Sequence, residues 1–185
     1  MSGVDSPPTL HLTVGLPGVG KTTLARRIEA DTGALRLTPD EWMLPLLGDS
    51  QAEGKRDVLE GRFIWVAHRV LAGGLSVVLD FGCWSAQERY AIRDVAERAG
   101  AVFELHFLAL PEDERRARSD ARWIEDRSST FEMSTEDHDR HSAVFAAPSG
   151  DELAYGPLPD PPPSYGSWSA WASDRWPSLP RLDLR

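Results

Sequence analysis

The chain has 185 residues, a formal net charge of −9 at pH 7 and a hydrophobic fraction of 41%. This length suits a single domain, and the apolar fraction is large enough to form a buried core. The negative charge argues against a long interface with a nucleic-acid backbone, because such an interface usually needs an excess of basic residues. Nucleic acid is therefore an unlikely partner, although a small local basic site is not excluded.

Cysteine content and hydropathy indicate the cellular setting. Cys83 is the only cysteine, so no intrachain disulfide can form and a reducing compartment is expected. Residues 1–8 are polar and contain prolines, and we expect them to be disordered and not a signal peptide. No apolar run approaches the ~20 residues of a membrane span. These features predict a cytoplasmic protein without a membrane partner.

Strand and helix patterns alternate along the first two thirds of the chain. The expected strands are residues 9–14, 34–37, 75–80 and 101–110, and the expected helices are residues 22–30, 55–72, 86–99, 111–127 and 134–145. This alternation predicts an α/β fold with a mostly parallel sheet that is covered by helices on both faces. The RLDL segment at 181–184 would add an edge strand and give five strands. His138 and His141, on the last helix, match no strong metal pattern, so we expect them on a solvent-exposed face.

The C-terminal segment has a different composition. Residues 148–185 are rich in proline, glycine and serine, and they include Trp168, Trp171 and Trp176. One interpretation is a loosely attached extension. We favour an extension that packs on the domain formed by residues 9–147 and lines or covers its cleft, because indole rings are costly to leave in water.

A glycine-rich motif follows the first strand and opens the first helix. Residues 15–22 (GLPGVGKT) match G-x-x-x-x-G-K-[ST], the P-loop, whose backbone N–H groups and helix N-terminus surround phosphate groups. Lys21 is expected to reach the β- and γ-phosphates, and the Thr22 hydroxyl to ligate Mg²⁺. The candidate nucleotide-binding residues are Gly15, Gly18, Val19, Gly20, Lys21, Thr22 and Thr23. The motif predicts that the protein binds ATP, or GTP, together with Mg²⁺.

Asp80 is the second candidate ligand of Mg²⁺. It ends the strand at 75–80, where P-loop proteins commonly hold the ion through a carboxylate, although it could instead cap the next turn. Phe81 and Gly82 follow it, so the chain lacks the Glu that motor and transporter ATPases place there to activate water. This absence favours transfer of phosphate to an acceptor other than water.

Asp40 is the candidate catalytic base. It follows the second strand, where a carboxylate can face the γ-phosphate from the acceptor side and take the proton of an attacking hydroxyl. The alternative is that Asp40 only caps a helix that begins at Glu41. Residue type and position leave both roles open.

Arginines are concentrated on the expected helix at 111–127. They are Arg115, Arg116, Arg118, Arg122 and Arg127. A mobile arginine lid would supply cations to the transferring phosphoryl group, and Arg118 and Arg122 are four residues apart on one helix face. The alternative is a solvated face whose arginines pair with the acidic residues of the same helix.

Five stretches together resemble the small bacterial P-loop kinase-like proteins that group with chloramphenicol phosphotransferase, zeta toxins and the kinase domain of polynucleotide kinases. They are GLPGVGKTTLA, LTPDEW, LSVVLDFGCW, LPEDERRARSDAR and FAAPSGDEL, within about residues 9–153. The resemblance implies phosphoryl transfer from ATP to a hydroxyl, with Asp40 as the base and with Arg118, Arg122 and Lys21 as catalytic cations. The polynucleotide kinases of this group carry an arginine where this chain has Met43, which weakens the nucleic-acid alternative.

We therefore predict an ATP-dependent O-phosphotransferase, a kinase, that acts on a hydroxylated small molecule. An antibiotic is one such acceptor, since the resemblance extends to resistance phosphotransferases. Two alternatives remain. One is a 5′-hydroxyl polynucleotide kinase, which requires a basic channel. The other is a protein that binds nucleotide and a ligand without catalysis.

Overall fold

The computed structural model describes residues 6–48, 54–125 and 133–182. Within these ranges, no helix combines the length and the hydropathy that crossing a bilayer requires. The predicted disorder of residues 1–8 falls mostly on residues 1–5, which lie outside the described residues, as does Arg127.

Strands and helices alternate as the sequence predicts. The elements are β1 Thr9–Val14, α1 Lys21–Thr32, β2 Leu35–Leu37, α2 Pro39–Leu47, α3 Lys55–Ala72, β3 Val77–Gly82, α4 Ala86–Arg98, β4 Val102–Phe107, α5 Glu112–Glu125, α6 Thr135–Val144, α7 Gly150–Leu153 and α8 Trp168–Arg175. The α4 helix begins with a capping box, in which the Ser85 hydroxyl accepts from the Glu88 N–H and the Glu88 carboxylate accepts from the Ser85 N–H. A local start signal therefore sets the beginning of α4.

The sheet is parallel throughout and has the strand order β2-β3-β1-β4. It has four strands in the described part of the chain, so the prediction of five strands is wrong. Residues 181 and 182 do not join it, because the Leu182 N–H donates to Ser169 Oγ on α8 at 2.7 Å and the Leu182 side chain is buried in the core. The other two residues of the expected edge strand, 183 and 184, lie outside the described residues.

The two faces of the sheet carry different layers. Leu10, Leu12 and Val14 alternate toward a large hydrophobic core that they share with α3, α4 and α8. On the opposite face, Val78 packs against Ala25 of α1 in a smaller cluster. Helices cover both faces, as expected for buried parallel strands.

Side chains of the C-terminal segment lie inside the large core. Trp168 and Trp176 are only 5% and 1% exposed. The Trp176 indole N–H donates to Glu60 Oε2 of α3 at 3.1 Å. Gly61 of α3 permits this approach, because a Cβ at that position would lie 2.4 Å from Ser178 Oγ. The contacts tie α8 and the residues after it to the middle of α3.

Replacing Trp176 by alanine should lower the free energy of unfolding by about 3–5 kcal/mol, the usual loss for a buried aromatic side chain. The substitution leaves a cavity and also removes a donor from the buried Glu60 carboxylate. Urea unfolding followed by circular dichroism measures the loss. Trp42→Ala is the matched control, because Trp42 is 45% exposed and its removal should cost much less. Equal losses in both variants would contradict the assigned packing.

Candidate active site

The P-loop lies tightly against the elements that follow it in space. Gly15 and Gly18 have φ values of 149° and 89°. A Cβ on either would lie 2.4 Å from a backbone oxygen, that of Leu108 after β4 or that of Arg115 on α5. Backbone conformation and close contact both require glycine here. The loop is therefore held between the end of β1, the end of β4 and the start of α5.

The P-loop residues divide into those that line the cleft and those that do not. Lys21 and Thr22 line it, and Lys21 Nζ donates to the Leu16 carbonyl at 3.1 Å. Gly18 and Gly20 line it as well, and Gly20 is the N-cap of α1 with a φ of 97°. Three other candidates are outside the lining as far as the described residues go, namely Gly15, Val19 and Thr23. A backbone N–H can still face a phosphate when its side chain points elsewhere.

Asp80 lies beside the P-loop with one carboxylate oxygen satisfied. Thr13 Oγ1 donates to Asp80 Oδ1 at 2.7 Å. The second oxygen, Oδ2, is buried and has no hydrogen-bond partner within the described part of the chain. A buried carboxylate oxygen without a partner is costly, and a bound cation would satisfy it. Asp80 with Thr22 therefore fits Mg²⁺, although β3 continues for two residues beyond the predicted strand end at Asp80.

Asp40 is in the first turn of α2, which begins at Pro39. It is therefore not the residue that precedes the helix, as the capping alternative requires. Arg56 Nη1 of α3 donates to Asp40 Oδ1 at 2.6 Å, and Arg56 Nε donates to Glu60 Oε1 at 3.0 Å. Sequence reasoning missed Arg56. Its only local signal was the i, i+4 spacing from Glu60 on one helix face.

The cleft continues from Asp40 to the C-terminal segment. Arg175 of α8 pairs with Asp57 of α3 and with Glu88 of α4, each at 2.8 Å. Burial raises the pKa of Glu60, although Arg56 and the Trp176 indole N–H oppose the shift. Arg175 and Trp176 both line the cleft, so α8 supplies part of its wall.

These elements line a cavity of about 490 Å³. Its lining includes Lys21 and Thr22 from the P-loop, Asp40 and Asp80, and the apolar side chains Phe81 and Trp84. Phe81 and Trp84 supply apolar wall to this cavity, whereas Trp42 and Trp65 are not among the described lining residues. The P-loop, the candidate base and the candidate metal ligand therefore share one space.

The expected lid helix is anchored to the P-loop by a buried arginine. Arg115 is 2% exposed and donates to the Pro17 carbonyl at 3.3 Å. It also contacts His138 Nδ1 at 2.9 Å. His138 is 2% exposed, so the expectation of a solvent-exposed position is wrong for this residue. Burial, together with the neighbouring Arg115, lowers the pKa of His138 and favours a neutral ring that accepts from the guanidinium.

Arg118 does not reach the cleft lining among the described residues. Its guanidinium pairs with Glu114 at 2.6 Å and its side chain is 55% exposed. Arg122 lies on α5, but its side chain is outside the described part of the structure. Arg140 of α6 does line the cleft, where it pairs with Asp137, and sequence reasoning missed it. Where α5 and α6 border the cleft, the arginine among the described lining residues is therefore Arg140 of α6.

Met43 is fully buried, with 0% of its surface exposed. The position at which the resemblance to polynucleotide kinases would require an arginine therefore faces the protein interior. The Met43 side chain itself carries no charge.

Solved structures share this fold. A chain of the Pnkp1/Rnl/Hen1 RNA repair complex has a TM-score of 0.63 at 20% identity, over 80% of this chain and 44% of that one. A predicted kinase from Chloroflexus aurantiacus has a TM-score of 0.62 at 19% identity, over 95% of this chain and 100% of that one. A gluconokinase from Sinorhizobium meliloti has a TM-score of 0.53 at 19% identity, over 78% of each chain. At these identities the likeness establishes the fold alone.

Sequence comparison points to the same fold. Among curated proteins none matches this chain in sequence. The family model described as AAA domain matches residues 10–148, which contain the P-loop, Asp40, Asp80 and the α5 helix. This range covers well over half of the chain. The protein therefore belongs to this AAA domain family and has a P-loop kinase-like fold.

Proposed function

We propose that this protein transfers the γ-phosphoryl group of ATP to a hydroxyl group of a small molecule. The observation that carries the proposal is the continuous cavity that joins Lys21 and Thr22 to Asp40. A nucleotide-binding protein without an acceptor needs no carboxylate at the far end of such a cavity. A kinase needs the nucleotide-binding residues and the acceptor-side carboxylate in one space that excludes water.

At the nucleotide end, the chain supplies a preformed cradle. The backbone N–H groups of the P-loop and the N-terminus of α1 face the phosphates, and Lys21 adds a cation at the β- and γ-phosphates. Thr22 and Asp80 are the residues that would hold Mg²⁺, which, when bound, neutralises charge on the phosphate oxygens. The hydrogen bond from Thr13 fixes the Asp80 carboxylate in place.

At the acceptor end, Asp40 takes the proton. The acceptor oxygen forms a bond to the γ-phosphorus while the bond from this phosphorus to the β–γ bridging oxygen breaks, and ADP leaves with that electron pair. The hydroxyl proton passes to the Asp40 carboxylate. Arg56 donates to Oδ1 of that carboxylate at 2.6 Å. This contact fixes the orientation of the Asp40 carboxylate and therefore the direction of the oxygen atom that takes the proton.

Charge and apolar surface in the cleft favour a small acceptor over a polynucleotide. The acceptor half contains four carboxylates and two guanidinium groups, on Asp40, Asp57, Glu60, Glu88, Arg56 and Arg175. The carboxylates stay in excess even when the buried Glu60 is protonated. Trp84 and Trp176 add apolar walls. These features support a neutral or cationic hydroxylated molecule with an apolar part, a description that includes several classes of antibiotic.

The test is a panel of hydroxylated compounds, antibiotics included, incubated with the full chain, ATP and Mg²⁺. Mass spectrometry of the products should detect one added phosphate on an acceptor, together with stoichiometric ADP. Two results would overturn the proposal. One is phosphate transfer only to the 5′-hydroxyl of an oligonucleotide. The other is binding of ATP and ligand with no ATP consumed for any compound of the panel.

Lys21→Ala should yield a folded protein that has lost ATP affinity or turnover, because it removes the cation of the phosphate cradle. Isothermal titration with ATP and a steady-state assay measure both. Lys55→Ala is a close control, since Lys55 is the only other lysine and lies exposed at the start of α3. Wild-type ATP binding and activity in Lys21→Ala would contradict the assignment of the P-loop as the phosphate-binding site.

Asp40→Asn should lower kcat by about 10²–10⁴-fold with little change in ATP affinity, because a positioned general base is worth that much. Asp31→Asn, at an exposed position on α1, controls for the loss of one surface carboxylate. If Asp40→Asn keeps full turnover and only unfolds at a lower temperature, the contact with Arg56 is structural and Asp40 is not the base.

We propose that α5 acts as an arginine lid over the transferring phosphoryl group, so Arg118→Ala and Arg122→Ala should each lower kcat more than they raise KM. Arg116→Ala is the control on the same helix, because Arg116 pairs with Glu112 and with Asp139 of α6. Unchanged kcat in both lid variants would assign α5 a purely structural role.

A further inference from the structure

Three potential metal-ligating side chains converge on one face of the sheet, away from the cleft. They are His11 on β1 and Glu104 and His106 on β4. His11 is paired with Glu104 in the parallel register, and Thr13 is paired with His106. Because side chains alternate along a strand, all three project from the face opposite Leu10, Leu12 and Leu105.

The distances between the ligand atoms match the geometry of a small metal site. His11 Nδ1 lies 3.1 Å from His106 Nε2 and 3.1 Å from Glu104 Oε2, and His106 Nε2 lies 3.7 Å from the same carboxylate oxygen. The point equidistant from the three atoms is about 1.9 Å from each. An ion slightly out of their plane would therefore lie at 2.0–2.1 Å from all three, the distance typical of zinc bound to nitrogen and oxygen.

Hydrogen bonding alone accounts poorly for this arrangement. His11 Nδ1 carries at most one hydrogen and lies 3.1 Å from two atoms, Glu104 Oε2, which only accepts, and His106 Nε2, which donates or accepts according to its tautomer. His106 and Glu104, at 3.7 Å, are too far apart for a hydrogen bond. Burial lowers the pKa of both imidazoles, although the Glu104 carboxylate opposes the shift.

The side chains of the cluster are partly exposed, so an ion can reach them from solvent. The side chain of His11 is 10% exposed, whereas those of His106 and Glu104 are 26% and 45% exposed. The cluster is therefore closed on the β1 side and open on the β4 side, where β4 forms the edge of the sheet. Water could complete the coordination from the open side.

We propose that His11, Glu104 and His106 bind a divalent transition-metal ion of the Zn²⁺ class. Two imidazoles and one carboxylate suit Zn²⁺, Co²⁺ or Ni²⁺, whereas Mg²⁺ prefers oxygen ligands in an octahedron. The site is thus chemically distinct from the oxygen ligands Thr22 and Asp80 at the P-loop.

The ion would join two strands that both lead to the P-loop. The central strand β1 runs directly into Gly15, and the segment after β4 places the Leu108 carbonyl against the same glycine. The pairing of β1 with β4 continues up to Val14 and Phe107. An ion that binds only the folded state raises stability, so it should stabilise this half of the sheet.

The test uses tag-free full-length protein freed of metal with a chelator and kept in excess Mg²⁺, which saturates the oxygen-only sites. Titration with Zn²⁺ should reveal one equivalent bound at micromolar concentration or below and a rise in the unfolding temperature. Co²⁺ should give the visible absorption bands of a low-coordinate site with nitrogen ligands. No saturable binding by the wild-type chain at micromolar Zn²⁺ would overturn the proposal.

His106→Ala and Glu104→Gln should each weaken Zn²⁺ binding by about tenfold or more and reduce the Co²⁺ bands. His68→Gln, on α3 away from the cluster, is the matched control and should bind as the wild type does. Both test residues are partly exposed, and circular dichroism verifies the fold of each variant. Glu104→Gln, at the more exposed position, decides the matter if His106→Ala does not fold. Zn²⁺ affinity unchanged in the folded variants would overturn the assignment of these ligands.

Discussion

The acceptor side of the cleft depends on the forked contact of Arg56 with two carboxylates. Its guanidinium holds Asp40 of α2 at 2.6 Å and Glu60 of its own helix at 3.0 Å. Glu60 in turn accepts the indole N–H of Trp176. Burying a carboxylate is costly unless it is paired and hydrogen-bonded, and Glu60 has both kinds of partner. One arginine therefore couples the orientation of the candidate base to the packing of the C-terminal segment.

A buried ion pair supports the wall of the cleft at Cys83. Arg89 of α4 binds Glu152 through two contacts, at 2.7 and 3.1 Å, and its Nη1 donates to the carbonyls of Cys83 and Ala146. Such bidentate pairs combine strength with a defined geometry. The contact holds Cys83, a non-glycine residue with a φ of 33°, at the cleft wall. Side chains on both sides of the predicted boundary at residue 148 thus share one core and one cavity.

Local signals explain what could be predicted from the sequence. The P-loop motif, the Ser85 capping box and the glycines after α1 and α3 each act within a few residues, so β1, α1, α3 and α4 could be placed without tertiary information. The contacts of Arg56 with Asp40 and of Trp176 with Glu60 could not be predicted from local signals, since they join residues 16 and 116 positions apart in sequence. The expected edge strand at 181–184 failed for the same reason, because Ser169 takes the Leu182 N–H that a sheet would need.

Strand β1 supports two cation sites of different chemistry under the proposals made here. Thr13 and His11 are two residues apart, so they project from the same face with a spacing of roughly 6.6 Å. Thr13 positions the carboxylate of Asp80 at the phosphate end, where every candidate ligand is an oxygen atom. His11 contributes nitrogen one step further from the phosphates. Because donor type decides which ion each position prefers, one strand can support both sites, and only residues 12–14 of the paired strand β1 separate His11 from the P-loop.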